Sequence, residues 1–93
     1  NYIEGLKDYV KIYLVDRQVP LLTRSNLRGM EKLLPANDFV RIHNSFIVNK
    51  TRIEHCTLTK LTLREVALPV GKKYVKNIEQ LHMKITSNKD NMI

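Results

Sequence analysis

Three histidines (His43, His55, His82), the lone cysteine Cys56 and Ser45 are the side chains with which this chain could bind a metal or attack a substrate. Their spacing favours neither. No two histidines stand four apart on a helical face, and there is no Cys-x-x-Cys, so the ligand spacing of a zinc site is missing. His55 and Cys56 are adjacent on an expected strand, where neighbouring side chains leave on opposite faces, so they cannot act together. His43 and Ser45 share a strand face and could pair as base and nucleophile. Yet the chain has three glycines in all, with no Gly-x-Ser-x-Gly turn and no glycine loop to cradle a phosphate. Catalysis is therefore the third choice among functions, and no metal or cofactor is expected.

The residues that remain suit recognition of a polyanion. Arg41-Ile42-His43-Asn44-Ser45 is a largely polar run set among Phe39, Val40, Phe46, Ile47 and Val48, which with Ile42 anchor it in a core. His43 and Ser45 admit two readings, internal hydrogen bonds that close an irregular bend or contacts to a partner. Asn44 also has two. It can occupy a left-handed corner of the backbone, or it can give and take hydrogen bonds at a base edge. Arg41 supplies charge for a phosphate. A second cluster, Lys72-Lys73-Tyr74 with Lys76, follows Gly71 at a predicted helix start. Cations there oppose the helix dipole, while the backbone N–H groups favour an anion, and both facts point to a polyanion rather than to helix stability. The plainer alternative is a solvated helix face. The turn Leu6-Lys7-Asp8-Tyr9 is the third candidate, set against an ordinary exposed turn.

Hydropathy patterning predicts the elements that carry these residues. Tyr2–Gly5 reads as a strand running into a turn at Gly5, and Tyr9–Val15 alternates, with Val10, Ile12 and Leu14 on its apolar face. Asp16-Arg17-Gln18 connects to a second strand, Val19–Leu22, which Pro20 makes an edge strand or a short one. Ser25 is the expected N-cap of a helix with Leu27, Met30, Leu33 and Leu34 on one side, stopped by Pro35 and followed by the turn Ala36-Asn37-Asp38. Phe39–Ile42 and Phe46–Val48 are strands flanking the polar run. Arg52–Leu58 and Leu61–Leu68 form a hairpin about Thr59-Lys60. From Lys72 onward Val75, Ile78, Leu81 and Ile85 recur at helical steps, with His82 at the boundary of that helix. The expected fold is mainly β, with small antiparallel sheets, one short internal helix and a C-terminal helix. It forms one domain over residues 1–86 with a frayed tail over 87–93.

Size and charge set the bounds. Ninety-three residues with 43% apolar content make one globular domain. No apolar run approaches a membrane span or the apolar stretch of a signal peptide. A single cysteine excludes an internal disulfide and suits a reducing cytoplasm. Sixteen basic residues against nine acidic give a net charge of +7. The excess lies in one stretch: residues 1–39 carry +1, 40–78 carry +6 and 79–93 are neutral. A basic half beside a balanced half is the pattern of a polyanion-binding face. Solvation of exposed strand edges is the alternative. A protein-interaction module docking an acidic partner is the runner-up function. RNA is less favoured, since few aromatics are interleaved with the basic residues.

Three strings together resemble a known family: Tyr2-Ile3-Glu4-Gly5-Leu6-Lys7-Asp8-Tyr9-Val10-Lys11-Ile12, Phe39 to Asn49 in the form F-x-R-x-H-x-S-x-x-V-N, and Ala67-Leu68-Pro69-Val70-Gly71-Lys72-Lys73-Tyr74. They resemble the LytTR DNA-binding domain, over about Tyr2 to Ile78. The resemblance implies a small β fold whose loops enter successive major grooves of double-stranded DNA, at paired half-sites in a promoter. It implies the output half of a bacterial two-component response regulator, with a receiver domain in the parent chain and a sensor histidine kinase acting on it indirectly. By position, Asn44 matches the base-contacting residue of the H-x-S motif, where many members have Arg. Lys73 falls close to a basic contact residue, and Lys7, Asp8 and Tyr9 match the first contact loop. Gly71 stands where Ser is common, which implies one fewer phosphate hydrogen bond. The expected contact set is Lys7, Asp8, Tyr9, Arg41, His43, Asn44, Lys72, Lys73 and Tyr74. A chain starting at Asn1 also has little before its first turn to pair with, so a missing leading strand and a fragment of a longer protein are expected. The parent is expected in the cytoplasm, and the isolated domain is expected to be largely monomeric.

Overall fold

The computed structural model describes residues 1–81. Ile85, His82 and the tail over 87–93 lie outside them. Alternating apolar residues build a five-stranded sheet from β1 (Tyr2–Gly5), β2 (Tyr9–Tyr13), β3 (Leu21–Arg24), β4 (Phe39–His43) and β5 (Phe46–Asn49), in the order β3-β2-β1-β5-β4. Every pairing is antiparallel, and β1 is the centre of the sheet, with Ile3 opposite both Ile12 and Ile47. A smaller antiparallel sheet joins β6 (His55–Cys56), β7 (Lys60–Thr62) and β8 (Ala67–Pro69). One helix, α1 (Leu27–Leu33), lies between β3 and β4, and residues 75–81 are helical. The expectation of a mainly β chain of small antiparallel sheets is met.

The middle of the five-stranded sheet is covered on both faces because its strands alternate two apolar sets, while β3 is exposed throughout. Ile3, Val10 and Ile47 pack under Leu27 of α1, with Ile12, Met30, Leu34 and Phe39 at the margin. On the other face Ile42 and Val48 meet Cys56, Leu61, Leu63 and Leu68 of the small sheet and Ile78 and Leu81 of the closing helix. Gly5 faces α1 closely: a Cβ there would sit 2.7 Å from Cγ of Leu27. The glycine is thus required by helix-on-sheet packing, since its φ is not in the left-handed region. The strand ends at Gly5 and the turn Leu6-Lys7-Asp8-Tyr9 follows it, closed by Leu6 N–H donating to the Tyr9 carbonyl at 2.8 Å.

Several boundaries move, each for a physical reason. The second strand runs over Leu21–Arg24 rather than Val19–Leu22, because Pro20 has no N–H to give and the ladder to β2 starts after it. It is an edge strand of four residues, in keeping with the edge or short strand that Pro20 implied. Helix α1 is capped by Asn26, whose Oδ1 accepts from Gly29 N–H at 2.7 Å, and not by Ser25. Leu27, Met30 and Leu34 then form the packed stripe, and Leu33 is 80% exposed. The stretch Leu61–Leu68 is two strands. A turn at Arg64-Glu65, with Leu63 N–H donating to the Val66 carbonyl at 2.8 Å, brings Leu68 opposite Leu61 in one core. A continuous strand would have put these two leucines on opposite faces. The preceding turn centres on Leu58-Thr59, one residue early of the expectation, with Thr57 N–H donating to the Lys60 carbonyl at 2.8 Å.

Candidate nucleic-acid interface

The antiparallel order places three segments at one end of the large sheet. The β1–β2 turn Leu6-Lys7-Asp8 leaves from Gly5, the β4–β5 turn Asn44-Ser45 lies beside it, and Gly5 N–H donates to the Ser45 carbonyl at 2.8 Å. The third segment arrives from the small sheet. Gly71 N–H donates to the Ile42 carbonyl at 2.8 Å, which sets the single 3₁₀ turn Lys72–Tyr74 against the end of β4. Lys7, Asp8, Tyr9, Asn44, Lys72 and Lys73 are exposed there. Between the first two turns lies a shallow depression of about 400 Å³ lined by Gly5, Leu6, Arg28, Asn44 and Ser45 among others.

The Asn44-Ser45 turn is held by side chains rather than by a left-handed residue. No described residue has a positive φ, which removes the left-handed reading of Asn44. The register shifts between Arg41 and His43, so the hairpin closes around a bulge. Arg41 clasps it: Nε donates to the His43 carbonyl at 2.7 Å, Nη2 to the Asn44 carbonyl at 2.8 Å, and Nη1 pairs with Glu31 of α1. Asn77 Nδ2 donates to the Arg41 carbonyl at 2.9 Å. The Nδ1 of His43 accepts from Ser45 N–H at 3.0 Å, so the ring proton of the neutral form sits on Nε2. The His43 ring also packs tilted on Phe46 at 5.5 Å. The internal role weighed for His43 is therefore present. Its partner at Ser45 is the backbone, not the hydroxyl that a catalytic pair would need.

On the outer side, the Tyr74 hydroxyl donates to Asn44 Oδ1 at 3.1 Å. The Arg41 guanidinium carbon and the Lys73 ammonium lie 5.3 and 5.8 Å from the centre of the Tyr74 ring, within cation–π range. Gly71 lets this ring in, since a Cβ there would lie 3.3 Å from Cδ2 of Tyr74. Arg28, which lines the depression, is exposed on the first turn of α1, and Arg24 sits over the ring of its strand partner Tyr9 at 6.0 Å.

Charge in space differs from charge along the chain. Arg52 and Arg64 belong to the positive stretch of the sequence, but they line a cavity at the opposite end of the sheet, beside Glu54, Glu65, Asp16 and the N-terminal end of β1. Arg41 is spent on the turn, and Lys50 donates to the Ala36 carbonyl at 3.2 Å. The balanced first half contributes Arg24 and Arg28 to the loop end, two cations that sequence reasoning passed over. Only the antiparallel pairing of Arg24 with Tyr9 could have flagged the first of them. His55 is exposed and Cys56 buried, on opposite sides of β6 as expected. Burial pushes the Cys56 thiol up from its ordinary range. Among the described residues no helix is long and apolar enough to cross a membrane.

Fold and site together define a small β-rich module that presents two sheet turns and a lysine-bearing 3₁₀ turn side by side. Comparison with known proteins names the class. The family model of the LytTr DNA-binding domain matches residues 1–83, and this chain belongs to that family, a DNA-binding and not an enzymatic one. The sensory transduction protein LytT of Enterococcus faecalis is 31% identical over 85 residues, which is 85% of this chain and 35% of that protein. The chain thus spans about a third of the length of this curated relative. Among solved structures, a LytTr DNA-binding domain from Bacillus cereus, described as part of a methyl-accepting/DNA response regulator, superposes with a TM-score of 0.73 at 26% identity. That match covers 86% of this chain and 77% of the other.

Proposed function

We propose that this domain reads a specific duplex DNA sequence as the output part of a two-component response regulator that controls transcription. The observation that carries the reading is the convergence of the Leu6-Lys7-Asp8 turn, the Asn44-Ser45 turn and Lys72–Tyr74 on one end of the large sheet. Phosphate contacts fix register and base contacts give specificity, so the two kinds of residue divide the work. Lys7, Lys72 and Lys73 hold phosphates, joined by Arg28 at the depression and Arg24 beside Tyr9. Asn44, on the rigid corner between them, reads a base, with Asp8 and Tyr9 lining the first contact loop. Arg41 and His43 act one step back, by holding the corner that carries Asn44. A response-regulator parent is supported by the names of the two similar proteins, a sensory transduction protein and a DNA response regulator. A receiver domain answering to a sensor histidine kinase in the cytoplasm completes the reading. The isolated domain is monomeric, and paired half-sites are engaged when the parent chain brings two copies together.

The test is a pair of substitutions read on two DNAs, a site selected from a random duplex pool and an unselected duplex. Lys73→Ala should weaken both and reduce the slope of log affinity against log salt by about one, because one fewer counterion is released. Asn44→Ala should cost roughly 1–3 kcal/mol on the selected site and much less on the unselected one. Equal losses on both DNAs for Asn44→Ala would remove it from base reading. No binding of unselected duplex at low salt would instead favour an acidic protein as the partner.

A further inference from the structure

We propose that the cleft along the open edge of β4 is a binding site for a small organic monocarboxylate with an apolar body. The cleft exists because the large sheet is a middle layer. At its β4 edge, α1 and the helical residues 75–81 stand on opposite faces, and no strand fills the gap between them among the described residues. The gap has a volume of about 670 Å³, within the range of roughly 300–1,000 Å³ usual for small-molecule sites. Phe39 from the margin of one core, and Val40, Ile53 and Leu81 from the other, give it an apolar wall. It lies apart from the loop end, since Lys7, Asn44, Lys72 and Lys73 do not line it.

Two groups in the cleft favour an anion. The first is Lys50, half-buried, which gives one ammonium proton to the Ala36 carbonyl at 3.2 Å and meets no carboxylate among the described residues. Glu31 is the one acid in the lining, and it is paired with Arg41. Two cations, Arg41 and Lys50, against Glu31 leave one positive charge, that of Lys50. The second group is a backbone donor. Lys50 N–H donates to the Asp38 carbonyl at 2.8 Å, and Val40 stands opposite Val48 in the same ladder. Residues of an antiparallel strand turn their backbone groups to alternate sides, so Asp38 and Val40 face β5 while Phe39 and Arg41 face the open edge. Two bonds agree: Phe39 N–H donates to the Pro35 carbonyl at 3.1 Å, and the Arg41 carbonyl accepts from Asn77. The Arg41 N–H therefore points to the cleft side, where it meets no acceptor among the described residues. Lys50 supplies the charge for a carboxylate head, the Arg41 N–H an oriented donor, and the wall takes the apolar body. A phosphate, with its greater charge, is better held among the lysines of the loop end.

The probe is phenylbutyrate, with phenylbutanol and phenylbutylamine as neutral and cationic matches of the same body. Each is titrated into the isotope-labelled chain and followed by the backbone amide signals in NMR spectra. The carboxylate should saturate with a Kd of about 1 mM, shift the amides of Phe39, Val40, Arg41 and Thr51, and move the Arg41 amide proton downfield. The alcohol should bind about fivefold more weakly, and the amine more weakly still. Lys50→Arg should keep this order and Lys50→Glu should exchange carboxylate and amine. If the glutamate variant does not fold, Lys50→Gln decides, and it should bind carboxylate and alcohol about equally. No saturation by the carboxylate at about 10 mM, ten times the expected Kd, would overturn the site. So would equal affinities for the three probes, shifts confined to Lys7, Lys72 and Lys73, or a carboxylate preference that survives loss of the Lys50 charge. None of these outcomes touches the DNA reading, which rests on the loop end.

Discussion

A guanidinium carries five N–H donors in a fixed planar fork, and at Arg41 that fork closes a turn. Two donors reach the His43 and Asn44 carbonyls and a third reaches Glu31, so the group bridges β4, its hairpin turn and α1. Lysine would keep the charge but could not match these directions. We expect Arg41→Lys to lower unfolding stability by about 1–2 kcal/mol, mostly from the two carbonyl bonds. The Glu31 carboxylate is 44% exposed, so that ion pair adds less than about 1 kcal/mol. In DNA titrations the same variant should lose affinity for a selected site with an unchanged salt slope, since the turn loosens while no phosphate contact is lost. A variant as stable and as tightly bound as the wild type would show that Arg41 does not position the turn. Arg41, in a largely polar run, was legible as a cation from the sequence. That its charge is turned inward was not, because Glu31 lies ten residues away on another element.

At the scale of elements, alternation located the strands and punctuation located their ends to within a few residues. What escaped was the local competition that sets a boundary. Ser25 and Asn26 are both good N-caps, so residue type alone does not say which one starts the helix. The structure selects Asn26, and packing on the sheet buries Leu27 and leaves Leu33 in solvent. Asn26→Ala should therefore destabilise the domain by about 0.5–2 kcal/mol in urea titrations, and Ser25→Ala by a few tenths at most. The reverse order would return the cap to Ser25. The hairpin at Arg64-Glu65 illustrates the same limit. Its residues are ordinary in a strand, and the turn is decided by Leu61, Leu63 and Leu68 all needing one core.

For the molecule as a whole, the large sheet is the middle of three layers, with α1 on one side and the small sheet and closing helix on the other. Its strands contribute to both interfaces, so loss of either should unfold the whole. Cys56, buried in the small sheet with its thiol pushed above the ordinary range by burial, reports on this directly. Near neutral pH we expect its modification by a thiol reagent to proceed only through global unfolding, with a labelling free energy equal to that from urea titration. Labelling much faster than that would show the small sheet opening by itself. The same layering explains the site. Lys72 and Lys73 reach the end of the large sheet because the small sheet is stacked on it, and Gly71 is tied to Ile42.

By itself the sequence determined the class of the elements, the edge position of the strand after Pro20, the three loops that bear candidate contacts and the family resemblance, since each depends on residue type at short spacing. Tertiary structure decided the rest. It moved Arg52 and Arg64 away from the loop end, brought Arg24 and Arg28 to it, and set Tyr74 on Asn44 across 30 positions of chain. The reason is that local charge and hydrogen-bond partners are properties of neighbours in space. In an antiparallel sheet those neighbours are chosen by strand order, which no local pattern encodes.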